Sequence, residues 1–150
     1  MNNIIIYGSH YGTTKQYAEE LSRRTNIEAI SFENVKEIND YDKIIYLGGL
    51  YAGGVLGMAK TLKKLNQLSN KTIILVTVGL ADPTDEENVN NIRNNIKRQV
   101  QKEVFEKAKI FHLRGGIDYS KLKFAHKTMM KLLYNAVKNI SQEKQTAENR

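Results

Sequence analysis

The chain has no cysteine, no tryptophan and a single proline. Without cysteine there is no disulfide, no thiolate metal site, no iron–sulfur cluster and no Cys nucleophile. Any redox chemistry must therefore come from a bound cofactor. Long apolar runs are also missing: the longest extend over about five residues, against the roughly 20 needed to span a bilayer. No basic leader with a cleavage site opens the sequence, because Met1-Asn2-Asn3 leads straight into a β-branched run. A cytoplasmic location is the expectation. What is present is a 150-residue chain with 41% apolar and 26% charged residues, long enough for one domain around one core. Its net charge of +7 is uneven, since residues 119–150 hold seven basic side chains against two acidic ones. Such a bias attracts anionic partners and carries no information about fold.

Strand and helix signals alternate along the sequence. Residues 3–7 (NIIIY), 27–32 (IEAISF), 42–48 (DKIIYLG), 71–78 (KTIILVTV) and 109–114 (KIFHLR) read as strands. Residues 13–24, 57–68, 85–107 and 119–140 read as helical, and a short polar connection follows the second strand. The first, third and fourth strands are continuously apolar, as parallel strands buried on both faces are. Right-handed crossovers then place helices on both faces. The expected fold is α/β, three-layered, with a five-stranded parallel sheet in the order 2-1-3-4-5. No repeat or linker interrupts it, so one domain is expected over residues 1–140, followed by a polar tail at 141–150.

The last helix is two-sided. Leu122, Ala125, Met129, Leu132, Leu133, Ala136 and Ile140 recur at helical spacing, opposite Lys123, Lys127, Lys131 and Lys138. This fits a core-packing helix with a solvated basic face. It also fits an electrostatic surface for a partner or an anionic membrane.

The stretch Tyr7-Gly8-Ser9-His10-Tyr11-Gly12-Thr13-Thr14 follows the first strand and opens the first helix. A helix start offers unpaired N–H groups and the positive end of the dipole, which together suit a phosphate. Gly8 and Gly12 allow close approach or positive φ, and Ser9, Thr13 and Thr14 supply hydroxyls. No cation precedes Lys15, so an anion here would rest on neutral donors. A lone helix cap accounts for one hydroxyl but not for three between and beside two glycines. The P-loop and Gly-x-Gly-x-x-Gly spacings are absent, and Tyr7-Gly8-Ser9 lacks the acidic residues of a receiver domain.

Two further glycine-rich bends close strands of the same sheet. Gly48-Gly49-Leu50-Tyr51-Ala52-Gly53-Gly54 follows the third strand, beside the switch point where ligands of such sheets bind. There the backbone can pass close to a flat ligand and Tyr51 can stack on it. Val78-Gly79-Leu80-Ala81-Asp82-Pro83-Thr84 ends the fourth strand, and Arg114-Gly115-Gly116 ends the fifth.

Residues 5–21, IIYGSHYGTTKQYAEEL, resemble the flavodoxin signature: a strand ending in an aromatic, then Ser/Thr, a small residue, Thr, Ala and an aliphatic at fixed spacing. Ile5, Ile6, Tyr7, Ser9, Gly12, Thr14, Ala18 and Leu21 match it. The resemblance implies a flavodoxin-like fold and FMN as cofactor, its phosphate wrapped by Ser9, His10, Tyr11, Gly12, Thr13 and Thr14. His10 either approaches that phosphate or stays exposed and uninvolved. Leu50, Tyr51, Ala52, Gly53 and Gly54 would flank the flavin on one side and Gly79, Leu80 and Ala81 on the other. Typical flavodoxins often carry an aromatic in this last loop, and this chain has none.

The implied function is electron transfer by a flavoprotein. The layout is also similar to the short FMN-dependent protoporphyrinogen dehydrogenases that deliver electrons to menaquinone. That likeness implies an FMN-dependent oxidoreductase as the alternative. The implied partner is a redox protein or a quinone, with an anionic membrane surface as a further option for the basic helix. No motif that reads nucleic acid accompanies the positive charge.

Overall fold

The computed structural model of the protein describes residues 2–9, 12–51, 54–79 and 85–114, together with residues 131, 133–135 and 137. In chain order the elements are β1 (Asn3–Gly8), α1 (Thr13–Thr25), β2 (Ala29–Ser31), two 3-10 turns (Phe32–Asn34 and Ile38–Asp40), β3 (Lys43–Tyr51), β4 (Gly54–Val55), α2 (Met58–Leu62), β5 (Thr72–Gly79), α3 (Glu86–Gln99), α4 (Lys102–Lys107) and β6 (Lys109–Arg114).

Five strands pair in parallel in the order β2-β1-β3-β5-β6. This is the expected order, with β5 and β6 as the fourth and fifth anticipated strands. The alternation of side chains along each strand feeds two separate cores. On one face Ile5, Ile45, Leu47, Ile74 and Val76 meet Tyr17, Ala18 and Leu21 of α1, with Leu133 and Val137. On the other, Ile4, Ile6, Ile44, Tyr46, Ile73 and Leu75 meet Met58 and Leu62 of α2, Ile92 and Ile96 of α3 and Val104 of α4. The sheet is thus doubly wound, and its direction of winding reverses between β1 and β3.

Helix α1 follows from local pattern: Thr14, Tyr17, Ala18 and Leu21 are its buried residues, one stripe at helical spacing. It stops at Asn26, whose positive φ of 59° lets its N–H return to Ser22 O. Helix α3 begins with a side-chain cap, Asp85 accepting from Glu87 N at 2.9 Å, and carries Glu86 and Glu87 in its first turn and Lys97 and Arg98 in its last. Those charges complement the helix dipole.

Four expectations need correction. The second strand, expected over 27–32, is confined to Ala29–Ser31, because Ser31 caps the 3-10 turn that Phe32 begins. The helix expected over 57–68 ends at Leu62. Asn39 takes the amides that would continue it: its Oδ1 accepts from Asn66 N at 3.0 Å and Gln67 N at 3.3 Å, and its Nδ2 donates to Lys64 O at 3.0 Å. The helical stretch over 85–107 breaks at Val100 and Gln101, both extended. There α4 folds back onto α3, with the Arg93 guanidinium 5.6 Å from the Phe105 ring centroid. Finally, the strand pattern contained no sign of β4, which returns antiparallel onto the end of β3. Of the long terminal helix, residues 131, 133–135 and 137 are helical; its remainder and the tail at 141–150 lie outside the described residues.

Asn39→Ala is expected to lower stability by about 1–2 kcal/mol, since partly solvated amides and a carbonyl lose their partner together. Urea unfolding followed by circular dichroism reads the change. An unaltered midpoint would mean that water replaces these bonds at no cost.

Candidate functional site

The parallel register brings the C-terminal ends of three strands to one edge. Gly8 of β1 lies opposite Gly48 of β3, and β5 ends alongside at Gly79, opposite Arg114 of β6. The crevice at this edge, between β1 and β3, is the topological switch point.

On the α1 side of the crevice the helix opens without a side-chain cap and without an acidic residue in its first turn. Gly12 is the N-cap residue, held at φ 92°, in the left-handed region that glycine alone enters freely. Gly12 N donates to Ser9 Oγ at 3.0 Å, which braces the loop across its turn and leaves the Ser9 O–H to donate elsewhere. The first intrahelical bond runs from Gln16 N to Gly12 O at 3.0 Å, so the amides of Thr13, Thr14 and Lys15 precede it. Where α3 has an aspartate on its opening amides, α1 has no side-chain cap. Thr14 is buried, and a Cβ placed on Gly49 would stand 3.2 Å from its hydroxyl oxygen. That hydroxyl therefore sits over Gly49 on the α1 face of β3. The set is neutral, donor-rich and at the positive end of a dipole, which is the chemistry that holds a phosphate.

On the other side of the crevice the expected residues Leu50, Tyr51, Gly54 and Gly79 are joined by four that the sequence does not mark: Tyr46, Val55, Leu56 and Gln99. Beyond the sheet, β3 turns back so that Leu50 pairs with Val55 and Tyr51 with Gly54, and Leu56 N donates to Gly49 O at 2.9 Å. Tyr46 Oη rises from β3 and donates to Leu56 O at 2.6 Å. Burial pushes the Tyr46 phenol well above its ordinary range, partly offset by a bond from Thr61, so the hydroxyl stays a donor. The Leu56 carbonyl and the Val55 side chain occupy the places where Cβ atoms of Gly8 and Gly48 would be. Gly8 and Gly48 thus admit the 55–56 backbone and side chain. From α3, Gln99 Oε1 accepts from Val55 N at 3.3 Å, and its amide nitrogen lies 2.8 Å from an ideal Cβ on Gly54. Leu50 leans across onto Gly79, where a Cβ would collide with it.

Of the residues expected to hold a cofactor, Ser9, Gly12, Thr13 and Thr14 converge at the α1 start, while Leu50, Gly54 and Gly79 lie along the same sheet edge. Tyr51 is described through its backbone pairing with Gly54. His10, Tyr11, Ala52, Gly53, Leu80 and Ala81 lie outside the described residues.

Near this edge, on the α3 side, Thr77 and His112 form a register pair, with Oγ1 and Nδ1 2.7 Å apart. His112 Nε2 is buried and has no hydrogen-bond partner among the described residues. Burial first and the Arg93 charge second push the imidazole below its ordinary value of 6.5. Above 6.5 the ring is neutral in both folded and unfolded chains. As pH falls below 6.5 the unfolded chain takes up the proton first, so stability declines until the folded ring also protonates. His112→Gln is expected to flatten the loss of urea midpoint between about pH 7.5 and pH 5. Parallel curves for the two proteins would remove His112 as the cause.

A doubly wound parallel sheet with an uncapped, glycine-initiated helix at its switch point defines a three-layer α/β protein of flavodoxin-like fold. The chain belongs to the flavodoxin domain family, whose model matches residues 4–144. Among solved structures it is similar to a Fusobacterium nucleatum flavodoxin bound to flavin mononucleotide, at 14% identity and TM-score 0.61, covering 93% of this chain and 98% of that one. A flavodoxin of Streptococcus pneumonia TIGR4 gives 14% identity and TM-score 0.60 over 89% and 94% of the two chains. An archaeal flavodoxin gives 17% identity and TM-score 0.54 over 92% and 99%. At these identities the structural likeness shows the fold. No curated protein matches the sequence, and the expected likeness to protoporphyrinogen dehydrogenases gains no support from these matches. Among the described residues no helix is long and apolar enough to cross a membrane.

Proposed function

We propose that this protein binds one FMN and carries electrons with it. The observation behind the reading is the opening of α1: a left-handed Gly12 braced by Ser9, then amides that no side chain caps, at the switch point of a flavodoxin-family sheet. The donor set fits a phosphate monoester dianion, because amides and hydroxyls donate to it and the helix dipole favours its charge. Ser9, Thr13 and Thr14 would hold the phosphate, with His10 and Tyr11 in the same loop. The 50–54 turn and the 79–81 loop would flank the ring. When bound, the flavin supplies reversible uptake of one or two electrons.

The chain's own residues bind and orient. Tyr46 fixes the Leu56 carbonyl, Gln99 fixes the 54–55 turn, and Leu50 ties β3 to β5 at the rim. The net charge of +7 favours a redox partner with an acidic surface, since complementary potentials steer encounter.

The test is the absorption spectrum of the purified protein after incubation with FMN and gel filtration. A flavin spectrum at one FMN per chain, bleached by dithionite and restored by air, is the expected result. Colourless protein that retains no FMN overturns the proposal.

A further inference from the structure

A second concavity lies on the α2 side of the sheet, and among the described residues none of its lining belongs to the loops after β1, β3 or β5. It exists because the crossover from β2 to β3 has no α-helix. Two 3-10 turns, Phe32–Asn34 and Ile38–Asp40, span that distance instead. The flank of α2 is left uncovered, and the resulting cavity has a volume of about 460 Å³. This lies in the range of roughly 300–1,000 Å³ typical of small-molecule sites.

Its floor is apolar and fixed. Ile38 is 2% exposed, and Thr61, 5% exposed, has its hydroxyl turned to Tyr46. Phe32 and Val35, both half-buried, form the wall along the crossover. The rim is cationic. Lys36 comes from the crossover, while Lys60 of α2 and Lys64, two residues past its end, line the opposite side. All three are exposed, and none is in an ion pair among the described residues, where the pairs fall on α1 and α4. Among the described lining residues Glu33 is the one carboxylate. Three like charges around one cavity repel each other. An anion with an apolar body relieves that repulsion and covers the exposed parts of Phe32 and Val35.

We infer that the cavity between the 32–38 crossover and α2 is a binding site for a carboxylate-bearing amphiphile, its acyl or ring portion on Phe32, Val35 and Ile38 and its carboxylate among Lys36, Lys60 and Lys64. Recognition is by charge at the rim and by apolar area below. An uncharged amphiphile of the same length therefore binds more weakly, and a compact anion such as inorganic phosphate finds no floor to cover.

The experiment titrates the full chain with decanoate, decanol and inorganic phosphate, read from backbone amide shifts by NMR. Saturable decanoate shifts at residues 32–38 and 60–64 are expected, with weaker binding of decanol and none of phosphate at these residues. The triple variant K36Q/K60Q/K64Q should weaken decanoate binding about tenfold, as expected for loss of three exposed charge contacts. The triple arginine variant should retain it. FMN uptake should be the same in all three proteins, which separates this site from the one at α1. Absence of saturable decanoate shifts overturns the inference. So does equal affinity for decanol, or a glutamine variant that binds decanoate as the parent does.

Discussion

Ser9→Ala combined with Thr14→Val is expected to lower the affinity for FMN by about 10²- to 10⁴-fold and to leave that for riboflavin unchanged. The size follows from the donor set. No cation precedes Lys15 in the loop, so the phosphate would depend on hydroxyls and amides. A hydrogen bond to a charged group contributes roughly 1.5–3 kcal/mol, and two of them amount to roughly two to four decades in affinity at about 1.4 kcal/mol each. Valine keeps the shape of Thr14, which is 4% exposed, so the substitution removes the hydroxyl with little disturbance of the packing. Alanine at position 9 also frees Gly12 N from its 3.0 Å bond, loosening the turn that aims the α1 amides. Residual FMN binding comes from those amides, which both substitutions leave in place. Titration by flavin fluorescence compares the two ligands directly. An equal loss for riboflavin would assign the effect to collapse of the loop rather than to the phosphate. An undiminished FMN affinity would put the phosphate elsewhere.

What could be read in advance was whatever depends on near neighbours in sequence. The run Ile4-Ile5-Ile6 feeds both cores, and the spacing of Thr14, Tyr17, Ala18 and Leu21 makes one buried stripe. Both patterns are local, so strand and helix followed from them, while the strand order followed from the general rule for doubly wound sheets. The α1 start was legible for the same reason, because Ser9 and Gly12 are three residues apart and brace each other directly. Features set by distant partners were not legible. Helix α2 stops early because Asn39 binds a stretch some 25 residues further along. The β4 turn is held by Gln99, 44 residues from Val55. The buried ammonium of Lys43 donates to Val137 O at 3.3 Å, across 94 residues of sequence. Gly8 illustrates the limit well. Its small size was evident, but what it makes room for, the Leu56 carbonyl, is fixed only once the sheet has formed. The absence of a helix between β2 and β3 was legible as a short polar connection, but the lysine-rimmed cavity that it leaves beside α2 was not.

Tyr46→Ala is expected to destabilise the protein by about 3–5 kcal/mol, in the range seen when a buried aromatic is removed from a packed core. Tyr46 is fully buried, and its ring packs in the core between the sheet and α2. Tyr46→Phe separates the ring from the hydroxyl. It keeps the packing and deprives Leu56 O of its 2.6 Å donor, at an expected loss of about 1–3 kcal/mol for a carbonyl left unsatisfied. Titration cannot substitute for the mutation, because burial holds the phenol protonated far above its ordinary range. Urea unfolding gives both numbers, with the slope unchanged if only the native state is affected. Amide exchange gives their location: in Tyr46→Phe the Leu56 amide, which donates to Gly49 O, should exchange faster while those of β1 and β5 stay protected. If exchange instead rises evenly over the whole sheet, the hydroxyl serves general stability. If Leu56 stays as protected as in the parent, the turn over Gly8 and Gly48 is held by its glycine clearances and by Gln99, and Tyr46 contributes its ring alone.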